Sequence, residues 1–363
     1  MKKVLFSAYS LDIGGIETAL LTLLNELAKK RKYKITLVLE EKQGVFLNDL
    51  DKRIKVIQYK PSACKVVFIR KAINLLKQIC FFIGHKNRYD FAASYATYSI
   101  PGSFVARTAS KNNAIWIHSN YKIIYPERDN FRKFFNNLKI DRFKKIIFVS
   151  KNSKEAFLQV MSNLENKCLV INNIIDYEKI QKLSEEKIEE KKDDIPTFLY
   201  VGRLTEDDKR ISRILDCSRR LRDEKIRHKI YIIGEGKERA NYISAVRSFD
   251  LEDTVYMLGK KKNPYPYFKI SDYLLLTSEY EGFPVVYNEA KILKLPVITT
   301  DVSDAQEIIG TKYGIVVDKN SNAVYAAMKH ALEKGLKVKS DFNPKQYNEV
   351  NLEMVEVLLD KGN

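Results

Sequence analysis

A chain of 363 residues that is 45% hydrophobic and 30% charged, with 14 Gly and 9 Pro, has the length of two medium domains and excludes disordered, collagen-like and low-complexity polymers. The formal charge of +17 is uneven: residues 1–175 hold 31 Lys and Arg against 13 Asp and Glu, a net of +18, while the remainder sums to −1. The first half is therefore expected to face something anionic, and the second half to do other work.

Met1-Lys2-Lys3-Val4-Leu5-Phe6 starts like a leader peptide, but Ser7 and Ser10 interrupt the apolar stretch, Asp12 ends it and no clear cleavage site follows. It reads as a buried strand, Val4–Ala8. Further strands are predicted at Ile35–Leu39, Lys55–Gln58, Phe91–Ser94, Ala114–His118 and Ile146–Ser150, with helices at Gly15–Lys30, Val66–Phe82 and Asn130–Ile140 among them. Short β-branched runs alternating with helical stretches specify parallel βαβ units and a doubly wound sheet. Val170–Ile175 leads into Ser184–Asp194 (S-E-E-K-I-E-E-K-K-D-D), as charge-dense as a solvated linker or surface helix. After Pro196 the pattern restarts, with strands predicted at Thr197–Val201, Lys229–Ile233, Val255–Leu258, Tyr273–Leu276, Val297–Thr300 and Ile315–Val317. The chain thus reads as two α/β domains, 1–175 and 176–345. A closing helix over Gln346–Leu359, within the stretch 346–363, is expected to pack back on the first. No stretch of 18 apolar residues is present, so no spanning helix is expected. Cys64, Cys80, Cys168 and Cys217 are widely spaced and form no zinc-like cluster, which favours a reducing, cytoplasmic setting over a disulfide framework.

In open parallel sheets, ligands bind beyond the carboxyl ends of the strands. Asp12-Ile13-Gly14-Gly15-Ile16-Glu17 follows the first strand and opens the first helix. Glycines there let backbone N–H groups approach an anion, and they equally suit a tight turn. The G-x-G-x-x-G dinucleotide fingerprint is absent, which argues against an NAD enzyme. Gly202-Arg203-Leu204, then Lys209, follow the strand Thr197–Val201. Two cations past a strand end can clamp a diphosphate, Arg as a fork and Lys as a point charge; either alone also reads as a solvated surface cation. The segment Ser278–Ala290 (S-E-Y-E-G-F-P-V-V-Y-N-E-A) is the most informative. Gly282-Phe283-Pro284 makes a turn with proline placed for a helix start, Glu281 falls in the loop, and Glu289 lies about one turn into the helix. Carboxylates accept hydrogen bonds from sugar or ribose hydroxyls, and the helix N-terminus between them can receive phosphate. A capped surface helix with two unrelated acids has the same letters. The single D-x-D, Asp49-Leu50-Asp51, precedes Lys52-Arg53 and reads as a surface turn, so no metal ligands are assigned.

Together these segments resemble the retaining glycosyltransferases of family four, which have the GT-B fold. The resemblance rests on Glu281 and Glu289 within E-G-F-P-V-V-Y-N-E-A. It is supported by G-R-L…K at 202–209, Ile233-Gly234-Glu235-Gly236, Gly259 with Asn263-Pro264, the glycine pair at 14–15 and Trp116-Ile117-His118-Ser119, in the expected order over nearly the whole chain. It implies two facing Rossmann-like domains with an interdomain cleft, a nucleotide-sugar donor held mainly by the second domain and a glycan acceptor held by the first. Carried over by position, Arg203 and Lys209 hold the donor phosphates and Glu289 the ribose. Glu281 with Gly282, Phe283 and Pro284 holds the sugar, and the helix start at Val285 and Val286 holds the distal phosphate. Gly14, Gly15 and Gly202 complete the donor-binding set, and His118 reaches the transferred sugar; a histidine at a strand end is as readily a structural residue. Two positions depart from the family: Arg210 stands where glycine usually follows the lysine, and Asn173-Ile174-Ile175-Asp176 replaces N-G-I-D. The resemblance implies retaining transfer by front-face attack, with cations in place of a metal at the leaving diphosphate and no cofactor beyond the co-substrate, expected to be a UDP-sugar. Family habit extends this to a lipid-linked precursor of a surface polysaccharide, capsule or lipopolysaccharide. The rivals are a nucleotide-sugar epimerase on the same fold, which would convert donor without acceptor, and a non-catalytic binding subunit, which intact Arg203, Lys209, Glu281 and Glu289 argue against.

The basic first half calls for its own partner. Arg128, Arg132, Lys133, Lys139, Arg142, Lys144 and Lys145 crowd among Phe131, Phe134, Phe135 and Phe143, and Lys65, Arg70, Lys71 and Lys77 sit among the apolar residues of 65–83. Basic amphipathic stretches with aromatics suit an anionic membrane surface, hence a peripheral position on the inner face of the cell membrane. Core helices with solvated basic faces fit the same residues. Nucleic acid is the other anionic partner, but no binding module for it is recognisable, so none is expected.

Overall fold

The computed structural model describes residues 1–12 and 14–360; Ile13 of the glycine loop lies outside them. The chain separates into two compact units, Met1–Ile175 rejoined from Gln346, and Asp176–Lys345. The first holds β1 (Lys2–Ala8), β2 (Tyr33–Leu39), β3 (Lys55–Gln58), β4 (Phe91–Ser94), β5 (Asn113–Ile117), β6 (Lys145–Phe148) and β7 (Cys168–Val170). The second holds β8 (Thr197–Val201), β9 (Lys229–Ile233), β10 (Val255–Gly259), β11 (Tyr273–Leu276), β12 (Val297–Thr300) and β13 (Gly314–Val317). The sheet orders are β3-β2-β1-β4-β5-β6-β7 and β10-β9-β8-β11-β12-β13, with every neighbouring pair parallel. Each order winds outward in both directions from one internal pair, β1/β4 or β8/β11, which is the doubly wound arrangement. Every strand predicted from the sequence is present. The added strand, β7, is a three-residue edge piece too short to carry a period.

Helices on both faces bury the strands, so these read as continuous apolar runs rather than alternating ones. Val4, Leu5 and Phe6 of β1 and Leu274 and Leu275 of β11 are fully buried. The helix Arg128–Asn137 settles what its residues do: Phe131, Phe135 and the following Phe143 lie in the core, while Arg128, Arg132 and Lys133 are solvated. Those aromatics cannot meet a membrane. Two helices that the sequence reading did not assign, Ile100–Ala109 and Lys151–Met161, are capped by Ser99, whose Oγ accepts from the Gly102 N–H (2.7 Å), and by Ser150, whose Oγ accepts from the Ser153 N–H (3.3 Å). Pro101 and Gly102 look like breakers, yet a proline in the first turn forfeits no helical hydrogen bond. The cap at Ser150 also ends β6 at Phe148, two residues early.

The run Ser184–Asp194 is irregular past the helix Tyr177–Ser184 and is strapped to its own unit. Glu190 accepts from the Tyr267 hydroxyl at 2.9 Å, and Lys192 pairs with Asp272 at 2.9 Å. The closing helix, Pro344–Asp360, buries Leu352, Val355, Leu358 and Leu359. Asn348 takes both backbone groups of Ile175, accepting from its N–H (2.9 Å) and donating to its carbonyl (2.6 Å).

Arg210 joins the helices Glu206–Lys209 and Ile211–Asp223 with φ 51° and ψ 47°, in the left-handed region. A side-chain-bearing residue pays about 1–2 kcal/mol there, which is why glycine suits this position in the glycosyltransferases that the sequence resembles. Contacts of 3.6 Å to Glu206 and 3.7 Å to Glu279 return part of it, though partly exposed pairs contribute at most about 1 kcal/mol. Arg210→Gly is therefore expected to leave stability unchanged or raise it by up to about 1 kcal/mol in urea unfolding. A loss larger than that would mean the ion pairs outweigh the strain.

Candidate functional site

The second sheet reverses direction between β8 and β11, so the loops after these neighbouring strands leave toward opposite faces and open a crevice at the carboxyl edge. After β8 the chain runs through Gly202, Arg203 and the short helix ending at Lys209; after β11 it runs through Thr277 to Pro284. Backbone contacts hold the two together. The Glu279 N–H donates to the Asp208 carbonyl (2.8 Å), and Thr277 Oγ1 donates to the carbonyls of Lys209 (3.1 Å) and Arg210 (3.0 Å). Glycine is required beside them: Gly234 has φ 155°, and a Cβ there would sit 1.8 Å from the Gly202 carbonyl oxygen.

Within this frame Lys209 and Glu281 form an ion pair, each side chain 13% exposed. Ser278 Oγ donates to the same Glu281 oxygen at 2.7 Å. Arg203 pairs with Asp208 at 3.1 Å, but its side chain is 74% exposed and free to swing. Arg213 pairs with Glu279 at 2.6 Å and donates to the Thr277 carbonyl at 2.9 Å. Ser303 Oγ donates to the Gly282 carbonyl at 2.7 Å and fixes the Gly282-Phe283-Pro284 turn. Pro284 caps the helix Val285–Ile292, whose leading N–H groups at Val285 and Val286 point back toward that turn. Glu289 lies in its second turn and accepts from the Tyr265 hydroxyl at 3.1 Å. Burial of the Glu289 carboxyl pushes it up to about 7. Arg203, Lys209, Glu281 and the start of the helix that carries Glu289 thus all lie past the carboxyl ends of β8 and β11, within one unit.

In the first unit the reversal falls between β1 and β4. Gly14 and Gly15 follow β1 and start the helix Gly15–Lys29, and the space beside the Gly15 Cα is open. The Glu17 carboxyl folds over Gly14 and accepts from the Tyr98 hydroxyl at 3.4 Å, so an acidic side chain stands where the sequence suggested an anion site. His118 follows β5 and is buried against Tyr95, ring centroids 4.7 Å apart. Burial pushes its imidazole down to about 4, so it is neutral at pH 7. Its Nε2 has no hydrogen-bond partner among the described residues.

The sequence reading brought Arg203, Lys209, Glu281 and Glu289 to one sheet edge but missed Asp208, Ser278, Tyr265 and Ser303. Asp208 and Ser278 had a signal, since both stand just past strand ends; Tyr265 and Ser303 had none. Among the described residues no group of three or more His, Cys, Asp or Glu could hold a metal, and Asp51 of the D-x-D pairs with Arg53. A shallow pocket lined by Ser271, Asp272 and Pro296 lies at the amino ends of β11 and β12, the opposite edge of the sheet.

The family model described as glycosyl transferases group 1 matches residues 181–349. An N-acetylgalactosamine-N,N'-diacetylbacillosaminyl-diphospho-undecaprenol 4-alpha-N-acetylgalactosaminyltransferase of Campylobacter jejuni is 26% identical over 97% of each chain. An uncharacterized glycosyltransferase of Methanocaldococcus jannaschii is 31% identical over 43% of this chain, a match that spans 39% of that protein's own length. Among solved structures, HepE of Anabaena in complex with UDP and glucose shares the fold with a TM-score of 0.77 at 17% identity, over 98% of this chain and 100% of that one.

The desolvation of Glu289 is measurable. Its folded value, raised from 4.5 to about 7, contributes stability that is fully present below about pH 4.5 and lost as pH rises through about 7. A shift of that size corresponds to at most about 3 kcal/mol. Wild type should therefore lose stability relative to Glu289→Gln between about pH 5 and about pH 8 in urea unfolding. Parallel losses in the two proteins would show that the carboxyl is not desolvated.

Proposed function

We propose that the chain, whose residues 181–349 match the glycosyl transferases group 1 model and whose fold is that of HepE, is a retaining GT-B glycosyltransferase moving a sugar from a UDP-sugar to a lipid-linked glycan, a precursor of a surface polysaccharide. It works in the cytoplasm, peripherally on the anionic inner face of the cell membrane. The observation that carries this reading is the meeting of Lys209 and Glu281 at the β8/β11 switch, flanked by Arg203 and Glu289. The acceptor class is supported by the name of the Campylobacter relative, whose match spans nearly both chains, and the nucleotide by the UDP bound to HepE.

In this reading residues 176–345 hold the donor, and 1–175, with the returning helix, hold the acceptor. The bond between the anomeric carbon and the distal phosphate oxygen breaks, and its electron pair leaves with UDP. Lys209 and Arg203 offset the charge that develops on the diphosphate, and the N–H groups of Val285 and Val286 receive the distal phosphate. The acceptor oxygen bonds to the same face of the sugar, and its proton passes to the departing phosphate. Glu281 and the Gly282-Phe283-Pro284 backbone accept and position the sugar hydroxyls, and Glu289 accepts from the ribose. Gly202 keeps the loop low under the phosphates; after β1, Gly15 leaves open space for the donor beside the Glu17 carboxyl that folds over Gly14. His118, neutral and with no partner for its Nε2 among the described residues, offers one hydrogen bond to the transferred sugar. The donor replaces one internal pair with two external ones, diphosphate on Lys209 and hydroxyls on Glu281.

The identifying experiment is a thermal-shift screen of nucleotide sugars followed by product analysis with isolated lipid-linked acceptors. Stabilisation by none of them would overturn the reading, and donor conversion without acceptor would point to an epimerase.

Lys209→Ala should lower turnover by about 2–4 kcal/mol of barrier, since it removes a held cation and leaves the Glu281 carboxylate facing the phosphates. Arg203→Ala should cost less, because that side chain is 74% exposed and must first be ordered. Glu289→Ala should chiefly weaken nucleotide affinity, because a ribose contact is made in ground and transition states alike. Wild-type rates in both cation variants would remove the phosphate clamp from the mechanism.

Turnover should also survive EDTA, because Lys209 and Arg203 supply the charge at the leaving group. Loss of activity on chelation with rescue by manganese or magnesium would show that they do not suffice.

A further inference from the structure

The helix Val67–His85 is built inside out. Two of its polar side chains reach back to the protein: Asn74 Oδ1 accepts from the Ser62 N–H at 2.6 Å, and Lys77 Nζ donates to the Lys60 carbonyl at 2.8 Å. Phe81 and His85 continue that stripe, stacked on each other at 4.4 Å, with Phe81 against Tyr59 at 5.0 Å. Positions 74, 77, 81 and 85 share one helix face, and Phe81 is the one buried residue of the helix. The opposite face is apolar and open: Phe68 is 82% exposed, Leu75 58%, Leu76 61%, Ile79 46% and Ile83 69%. These residues follow at spacings of seven, one, three and four, a continuous stripe over four turns. Contiguous exposed apolar surface of this kind marks an interaction site.

Charge decides what covers it. Between Asp51 and Asp90 the sequence has ten Lys and Arg and no acid. Lys65 and Lys71 stand near the start of the helix and Lys86 at its end, where its Nζ lies 4.5 Å over the Phe82 ring, an aliphatic stem along apolar surface with the charge at the rim. A second copy docked through this face would bring like charges together with no acid to pair them. An anionic bilayer offers hydrocarbon for the stripe and phosphates for the rim. No helix among the described residues is long and apolar enough to cross a membrane, so the helix would lie in the interface plane.

We propose that Val67–His85 is an in-plane membrane anchor, with Phe68, Leu75, Leu76, Ile79 and Ile83 seated among the acyl chains of an anionic bilayer and Lys65, Lys71 and Lys86 at its phosphates. This deepens the membrane-surface reading above and rests on it, and it narrows the contact from the two stretches that the sequence offered, 65–83 and 128–145, to the first. Insertion of apolar side chains adds to the electrostatic attraction, so binding is weakened by salt but not abolished.

The test uses the full chain, without donor or acceptor, and vesicles of phosphatidylcholine with phosphatidylglycerol or of phosphatidylcholine alone. Wild type should float with the anionic vesicles and keep part of that binding in high salt. The triple variant Phe68→Ser, Leu76→Ser and Ile83→Ser should partition at least tenfold less, with an unchanged or higher melting temperature because the sites are exposed. Phe68→Trp supplies a second readout: Trp116, the single native tryptophan, is buried, so a blue shift on adding vesicles reports residue 68 entering the bilayer. Undiminished flotation of the triple variant, or no blue shift, would overturn the anchor. So would a wild-type dimer that the triple variant turns into a monomer, which would make a second copy the occupant. Nucleotide-sugar stabilisation should be the same in wild type and triple variant, so loss of the anchor and loss of the transferase reading give separate results.

Discussion

The ion pair of Lys209 with Glu281 spans two loops that leave neighbouring strands in opposite directions. Each side chain is 13% exposed, and a charge so placed needs its counter-charge close by. The surrounding contacts make this pairing possible. Thr277 holds the Lys209 and Arg210 carbonyls, the Glu279 N–H holds Asp208, and Ser278 steadies the carboxylate. Removing one partner would leave the other buried and uncompensated, so the pair fixes both loops at once. The same two charges are those the proposed reaction uses. A ligand carrying an anionic diphosphate and donating hydroxyls satisfies both as it separates them.

Topology puts these groups together without any nearness in sequence. Lys209 and Glu281 are 72 residues apart and meet only because β8 and β11 are sheet neighbours at the reversal of strand order. The first unit repeats the device with different chemistry. Its loops after β1 and β4 present Glu17, Tyr98 and Ser99, and the Glu40 carboxylate after β2 accepts from Ser99. Burial raises both carboxyls above the usual range, and this edge sets them beside hydroxyls where the second unit sets carboxylates beside Arg203 and Lys209.

Much of this was legible in the sequence, for physical reasons. Strands buried on both faces read as unbroken apolar runs, and the loops that carry the site begin where those runs stop, so Arg203, Lys209 and Glu281 could be placed from spacing. Pairing could not. Nothing local tells that Lys209 meets Glu281 or that Tyr265 meets Glu289, since both contacts depend on strand order. The helix Ile100–Ala109 was hidden by Pro101 and Gly102, which are harmless in a first turn but read as breakers. The aromatics of 128–143 read as membrane-facing because composition does not distinguish a core stripe from an exposed one.

Direction is the deeper limit, and the helix Val67–His85 shows it. Its period and composition are those of an ordinary amphipathic helix, and a periodicity has no sign: the same letters serve an apolar face turned in or out. Energetics supplies the sign. The present orientation is held by two polar contacts, Asn74 with Ser62 and Lys77 with Lys60, at about 1 kcal/mol each, and by one buried side chain, Phe81, at about 1.5–3 kcal/mol. Burying the side chains of Phe68, Leu75, Leu76, Ile79 and Ile83 instead would be worth about 1.5–3 kcal/mol apiece. An isolated chain gains nothing by showing that face to water, so the orientation makes sense only where an apolar phase meets it. The basic excess of the first half then has a specific place: ten of its cations fall in the acid-free stretch between Asp51 and Asp90, which carries this helix. The cations around 128–145 lie in and just after a helix whose aromatics the core already uses, and there a solvated basic face is all that the packing requires.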